Sequence, residues 1–548
     1  GGRGTPYRPS MAGKPGKAAL QPPACGVAAV AVAATVLSSF LFGYSICVLD
    51  SCAELISVVF EWCGNEWQVD CLESRRRQGI VNALVYLGAA LGAFTSGRQA
   101  VAELGSRKQL LLSDVFFGAG ALMCCLAQGV NALALGRFVS GLGLGLSAIA
   151  APVYIAEVSP RERRGTYAAM NGVFITVGIF ASICLGLPQG PPPTGPGQAV
   201  RGLDAWFWRG LLGMPLLPAL LQALALGLIC PVDPPALLML RGRRAEARSL
   251  IYRIYGMKVA SGAVALDDQK QAALELQLTE LEETVAMAKE VPKIRLYQVL
   301  FDPFLRTPLF LGLGLAAFQQ LCGINSLMSY SNSLFAEAGI QPANLTLAST
   351  VMAGLNCVVS AFSSQVADSW GRRRLLLIGA LGQSLAMALL SSVTGGLYIG
   401  GPQVTGPFAV VCFVLFVTSF SVGLGAVTWL YLSEIYPMEI RAPALSACGI
   451  VNWVSCFIVV YGGRFLSLQS ACSVFGTISA AGLLGTYIWV VETKGCSMDD
   501  SPLTPRSGRS SSHLLSPATR SPRGNYERLK DEAAEQEEEE EDGKAKAT

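Results

Sequence analysis

Tyr154-Ile-Ala-Glu157-Val-Ser-Pro160-Arg-Glu-Arg-Arg164 returns in the second half of the chain as Tyr431-Leu-Ser-Glu434-Ile-Tyr-Pro437-Met-Glu-Ile-Arg441, with Tyr, Glu, Pro and Arg at identical spacing. A second match keeps the same order: Gly105-Ser106-Arg107-Lys108 lies upstream of the first copy and Gly371-Arg372-Arg373-Arg374 upstream of the second. Two ordered matches imply parallel duplication of one structural unit. Each copy closes a long apolar run with an acid, a proline and then a base. The unit is therefore a set of hydrophobic segments whose polar punctuation marks their ends.

Working outward, runs of about 20 apolar residues recur, as in Gly26 to Leu49, Pro308 to Leu334 and Phe408 to Leu432. Each is long enough to cross a hydrocarbon core of roughly 30 Å as a helix. The chain has 548 residues, 52% of them hydrophobic and 14% charged, a balance that points to lipid. The first run continues through Phe42-Gly43-Tyr44 into a polar loop without a small-residue cleavage site, so it reads as a span and not as a signal peptide. Spans are expected at 27–50, 79–101, 109–128, 133–156, 165–187 and 206–230, then at 307–337, 344–367, 374–396, 405–432, 440–462 and 468–491. The fold expected is an all-α membrane protein, twelve transmembrane helices in two six-helix bundles, 26–230 and 301–495. Between them, 231–300 carries Glu, Lys and Gln among Leu and Ala at helical spacing, which predicts a cytoplasmic helical linker. Residues 1–25 and 496–548 read as disordered cytoplasmic tails, the latter ending in the acidic run Glu535 to Asp542.

The net charge of +3 conceals segregation. Arg107 and Lys108, Arg161 to Arg164, Arg241 to Arg253, and Arg372 to Arg374 all follow even-numbered spans, and the positive-inside rule makes that side cytoplasmic. Arg75 to Arg77 run against the rule. The expected location is a multi-pass plasma-membrane protein with both termini in the cytoplasm. The sole histidine, His513, lies in the tail, so no His-based catalysis, metal cluster or imidazole relay operates among the spans. An enzyme, a cofactor, a metal or a nucleic-acid partner is not expected, and the chain is expected to act as a monomer in the bilayer. Most of the 16 cysteines sit in apolar runs, where Cys behaves as a small hydrophobe. Cys63 and Cys71 instead flank a polar stretch expected outside, either as a disulfide or as two free thiols. Asn344-Leu-Thr346 fits a glycosylation acceptor.

Two groups of residues carry chemistry. Glu157 and Glu434 with Arg137, Arg164, Arg372, Arg373 and Arg441 are expected to form a cytoplasmic salt-bridge latch that holds the halves together when the outside is open and breaks for inward opening, since a partly buried charge left alone is costly. Inside the spans stand Gln319, Gln320, Asn325, Asn356 and Asn452, each offering donors and an acceptor to the hydroxyls of a neutral sugar. Trp429 offers a face for a pyranose ring, and Gly323 a place for the span to bend as a gate.

The Gly-Arg-Arg loops, Pro152-x-Tyr154-x-x-Glu157, Gln319-Gln320-x-x-Gly323-Ile-Asn325 and Glu492-Thr493-Lys494-Gly495 together resemble the sugar porter family of the major facilitator superfamily over roughly residues 30–495. Phe60-Glu61-Trp62-Cys63, Gly178-Ile179-Phe180 and Asn452-Trp453-Val454 are similar to the hexose transporters of apicomplexan parasites. The resemblance implies that Gln319, Gln320, Asn325, Asn356, Trp429 and Asn452 line a sugar site and that Ser329 and Asn332 lie near the extracellular gate. It also exposes departures. Gly172 stands where the family carries a Gln, with Asn171 beside it. Pro231-Val-Asp233-Pro234-Pro235 replaces a Pro-Glu-Ser-Pro-Arg element, Ala426 replaces a proline, and Ser106 replaces an arginine. Proton-coupled relatives place an Asp after the Phe-Gly-Tyr of span one, where this chain has Ser45, while Asp50 lies farther along. The function expected is hexose transport, of glucose or fructose, by alternating access as a uniporter. A proton–sugar symporter and a non-transporting sugar sensor are the alternatives.

Overall fold

The computed structural model describes residues 26–64, 70–98, 101, 103–190, 204–255, 268–290, 299–300, 302–395, 402–494 and 503. The expected tails therefore lie outside the described residues, Leu503 apart. Among the described residues twelve helices are long and apolar enough to cross a membrane: Val27–Cys47, Leu72–Ser96, Ser106–Cys125, Val130–Val158, Arg161–Cys184 and Trp206–Ile229, then Leu305–Ser329, Pro342–Ser363, Arg372–Thr394, Thr405–Ile435, Ile440–Gly463 and Leu468–Trp489. They are spans one to twelve below. The all-α, twelve-span expectation is met, and the duplicated motif ends spans four and ten.

Lipid gives helices no hydrophobic reason to associate, so close backbone approach does the work. Spans two and four show it: a methyl added at Gly88 would lie 2.2 Å from the Phe138 carbonyl oxygen, and one at Gly145 2.1 Å from that of Ala89. Across the molecule, span two lies along span eleven and span five along span eight. Span one reaches the broken part of span seven. The two halves thus face each other along three seams, and the polar residues gather there.

Three local departures from straight helix position the site. Span seven breaks at Gly323, whose φ of 97° suits glycine, and again at Tyr330, leaving the short helices Ile324–Ser329 and Ser331–Glu337. Span ten passes through a π-helical turn at Ser421–Gly425, which releases backbone groups for other partners. Span two begins at Leu72, seven residues before the expected start at 79. The Cys71 sulfur accepts from the Ser74 amide, while Asp70 pairs with Arg75 and Glu73 with Arg77. Arg75 to Arg77 are therefore the opening turns of a helix with acids beside them, not a basic loop. The Asp70 carboxyl is held below its usual range by its hydrogen bonds from Arg75.

Cys63 and Cys71 are joined by a disulfide that ties the loop after the helix Ala53–Val59 to the start of span two. Past span six, the helices Pro235–Leu240, Arg244–Ile254 and Asp268–Glu290 seat against the basic-loop end of the first half. Leu250, Ile251, Leu274 and Leu278 share an apolar cluster with Tyr154 and Ile155, and Arg161 pairs with Glu280.

Candidate functional site

The amides of span seven and Asn452 of span eleven form one continuous chain of hydrogen bonds. The Asn452 amide nitrogen donates to Gln319 Oε1 at 2.8 Å and to the Ala316 carbonyl at 2.9 Å. Its oxygen accepts from Gln320 Nε2 at 3.2 Å. Asn325, placed just beyond the Gly323 break, donates to Gln320 Oε1 at 2.5 Å. At the other end Gln319 Nε2 donates 3.0 Å to the carbonyl of Leu424, inside the π-turn of span ten. Asn356 meets the same π-turn separately, accepting from the Ser421 hydroxyl. Sequence reasoning named all five amides; the structure brings four into one network and sets Asn356 on its neighbour. Trp429 is 40% exposed, and no described contact joins it to the amides.

The wall opposite this network is contributed by the first half. Trp453, next to Asn452, lies 5.6 Å from Phe42 of span one and stacks 6.3 Å from Tyr86 of span two. The Tyr86 hydroxyl faces Ser329 and Cys456 without reaching hydrogen-bond geometry to either. Asn82, one turn earlier, is buried with both amide atoms unpaired, as is the Ser329 hydroxyl. Buried polar groups with bonding capacity left over suit a hydroxyl-rich ligand. Asn82 and Tyr86 were missed from the sequence. Asn82 stands alone in an apolar run just as Asn356 and Asn452 do, and the same criterion applied to the first half would have found it. In span five Asn171 accepts from Ser39 at 2.8 Å, while a methyl built at Gly172 meets nothing within 4 Å.

At the end of the molecule away from the basic loops, the halves are bonded together. Asp50, 7% exposed, accepts from the Ser331 hydroxyl at 2.7 Å and from the Asn332 amide at 3.2 Å. The Asn332 side chain returns a bond to the Asp50 carbonyl, and Ser349 links Ser331 to Asn332. Glu54 accepts from Ser333 at 3.2 Å, and Arg464 donates to Gln78 at 2.8 Å. Burial pushes the Glu54 carboxyl up, with Arg464 and Ser333 acting against it. Asn332 thus sits at a contact between halves, and Ser329 sits one turn below it.

The basic-loop end corrects one member of the expected latch. Arg137 is not there: it precedes Glu157 by 20 residues on one helix, which at about 1.5 Å per residue puts it roughly 30 Å away. The direction of span four fixes this, since the duplicated motif is at its C-terminus. Nor do the two acids reach across. Glu157 accepts from Ser106 at 2.8 Å, and Glu434 is held by Arg372 at 3.0 Å and by Thr493 at 2.5 Å, each within its own half. The pairs are counterparts in the repeat, with Ser106 where the second half has Arg372. Arg107 pairs instead with Asp233 at 2.7 Å, the acid that stands in the altered element after span six. Arg373 bonds the Tyr487 carbonyl, Arg441 that of Tyr436, and Arg164 is exposed at a helix start. Burial raises the Glu492 carboxyl, but backbone N–H groups of Arg372, Lys494, Arg373 and Thr493 outweigh it and hold the group below its usual range.

A family model described as Sugar (and other) transporter matches residues 30–502. Hexose transporter 1 of Toxoplasma gondii is 29% identical over 485 residues, 87% of this chain and 82% of that protein. Plastidic glucose transporter 4 of Arabidopsis thaliana is 31% identical over 479 residues, covering 86% and 79%. The inward open conformation of the xylose transporter XylE from E. coli superposes with a TM-score of 0.68 at 21% identity, covering 85% of this chain and 97% of that one, which is a likeness of fold.

Proposed function

Because the chain belongs to the Sugar (and other) transporter family, and is on that ground a membrane sugar transporter, we propose that its cargo is a hexose moved by facilitative uniport. The observation that carries this reading is the chain Asn325–Gln320–Asn452–Gln319, amides only, facing the unpaired Asn82 and Tyr86 across the seam, with the unpaired Ser329 beside it on span seven. Such a lining bonds hydroxyls and offers no charge for an ionic cargo. In this reading the basic-loop face is cytoplasmic, bundles 26–230 and 301–495 rock about the site, and the contacts of Asp50, Ser331 and Asn332 are the extracellular gate. Each conformational state is stabilised by differential contacts, so the gate bonds bias the carrier toward the outward-closed state.

Uniport is favoured by Ser45, which removes the carboxylate that proton-coupled relatives carry, and by the surroundings of Arg137. Among the described residues that buried guanidinium bonds the Val81 carbonyl and otherwise lies near the Tyr86 hydroxyl and the thiols of Cys47, Cys52 and Cys124. Radiolabelled glucose uptake by purified protein in liposomes tests the reading directly. Saturable uptake of equal rate with and without an inward proton gradient is expected. No saturable uptake of any hexose sinks the hexose reading; uptake that a proton gradient drives above equilibrium replaces uniport by symport, for which Asp50 at the gate is the candidate carboxylate.

Restoring the missing amide gives a gain-of-function test. The open space at Gly172 accepts a long side chain. Gly172→Gln is expected to lower the KM for glucose about three- to tenfold, the worth of one net hydrogen bond of about 0.5–1.5 kcal/mol. An unchanged KM with normal folding places Gly172 away from the sugar.

A further inference from the structure

Away from the seams, spans three and six part near the end opposite the basic loops and leave a groove of about 500 Å³. Its walls are Leu122 and Cys125 of span three and Met214, Leu217 and Leu220 of span six. Leu122, Leu217 and Leu220 are about half exposed, and span three packs mainly on span four and span six on span one, within their own bundle, so the groove opens sideways to hydrocarbon and not into the transport path. Gly210 and Gly213 leave its upper part free of side chains, and a methyl built at Gly210 meets nothing within 4 Å.

Arg209 stands at the mouth. Its Nη1 donates to the carbonyls of Cys125 and Ala127, both at 2.7 Å, which satisfies acceptors left free where span three ends. Its guanidinium lies 4.4 Å from the ring centre of Trp208 and 5.5 Å from that of Trp206. The side chain is thereby fixed, yet Nε and Nη2 have no partner among the described residues. Trp206 is 71% exposed beside it, as expected of an aromatic at the headgroup level. A fixed cation at headgroup depth above an apolar trench is complementary to a phosphate carrying an acyl chain. Guanidinium forks hold phosphate oxygens through two parallel bonds, and basic pockets between transmembrane helices take lipid headgroups.

We propose that this groove binds one phospholipid, with its phosphate on Nε and Nη2 of Arg209 and an acyl chain lying along Leu122, Leu217 and Leu220. The lipid bridges spans three and six at a corner where they part. The site is independent of the cargo reading, since it requires only that the chain spans a bilayer.

Photolabelling tests it. The full-length protein is placed in phosphatidylcholine nanodiscs containing a trace of phosphatidylcholine with a photoreactive acyl chain, irradiated, and mapped by peptide mass spectrometry. Peptides carrying Leu122 to Cys125 and Gly210 to Leu220 are expected to label about tenfold more than the lipid-facing Leu484 and Tyr487 of span twelve, the ratio for about 1.4 kcal/mol of preference. Gly210→Leu fills the groove without touching Arg209 and is expected to return labelling to the span-twelve level while the melting temperature holds. A photoreactive diacylglycerol, which lacks the phosphate, should label the groove no more than span twelve. Equal labelling of all lipid-facing spans, or groove labelling that survives Gly210→Leu, overturns the site. Diacylglycerol labelling as strong as that by phosphatidylcholine overturns the phosphate contact.

Discussion

Asn452→Ala is expected to lower the kcat/KM of glucose uptake about a hundredfold. One side chain bonds three groups on span seven: it donates to Gln319 Oε1 and the Ala316 carbonyl and accepts from Gln320 Nε2. Truncation strands all three in a buried setting, where an unsatisfied polar group costs about 1–3 kcal/mol. Gln319 and Gln320 then re-pair with each other or with neighbouring backbone, and the geometry offered to the sugar is lost. A loss of about 2.7 kcal/mol in transition-state stabilisation corresponds to two decades. The measurement is initial-rate uptake in liposomes, with size-exclusion profile and melting temperature as folding controls. Asn452→Asp sharpens it, because the carboxylate still accepts from Gln320 but cannot donate to Gln319, so most of the loss should remain. Folded Asn452→Ala protein with uptake within twofold of the parent would show that the amide chain is structural and the sugar binds elsewhere.

What was legible in the sequence follows from how each feature is encoded. The twelve spans are legible because a span is a contiguous run with one requirement, length in hydrocarbon, and the halves because a repeated acid, proline and base survive as a fixed spacing. The break in span seven is legible at Gly323, since only a permissive residue takes a φ of 97° cheaply. The π-turn of span ten is not, because Gly423 and Gly425 read equally well as close-packing glycines, and Gly423 also packs against Gly379. Arg137 was assigned to the wrong end because conserving sign and type says nothing about depth; its place follows only once the motif at the C-terminus of span four fixes the helix direction. The partners of Asp50 were out of reach altogether. Asp50 and Asn332 are far apart in the chain, and which faces of spans one and seven meet is decided by packing across the seam. The latch is expected for the state open to the outside, whereas here the contacts of Asp50 close that end, and Glu434 pairs with Arg372 and Glu157 with Ser106, each within its own half.

Asp50→Ala is expected to free the gate and to do so visibly at the Asn332 amide. The carboxylate only accepts hydrogen bonds, and here it receives the Ser331 hydroxyl and the backbone N–H of Asn332, two of the first groups of the helix Ser331–Glu337. A negative charge at a helix start is favoured electrostatically as well. Hydrogen bonds to charged groups contribute about 1.5–3 kcal/mol each, and Ala leaves both donors without their acceptor. Ser349 and Glu54 hold the segment in part through Asn332 Oδ1 and Ser333, so the helix persists while its tie to span one is cut. A net loss of about 3 kcal/mol shifts the closed-to-open ratio about a hundredfold. Hydrogen–deuterium exchange mass spectrometry should therefore show peptides within 324–337 exchanging one to two decades faster, with span four unchanged. Asp50→Asn keeps one acceptor oxygen without the charge and should fall between parent and Ala. Exchange over 324–337 that matches the parent in both variants would show that Asp50 is a passenger at the seam. A further split separates gate from proton carrier: a gate residue changes the exchange and slows uptake equally with and without a proton gradient, whereas a proton site loses only the component that the gradient drives.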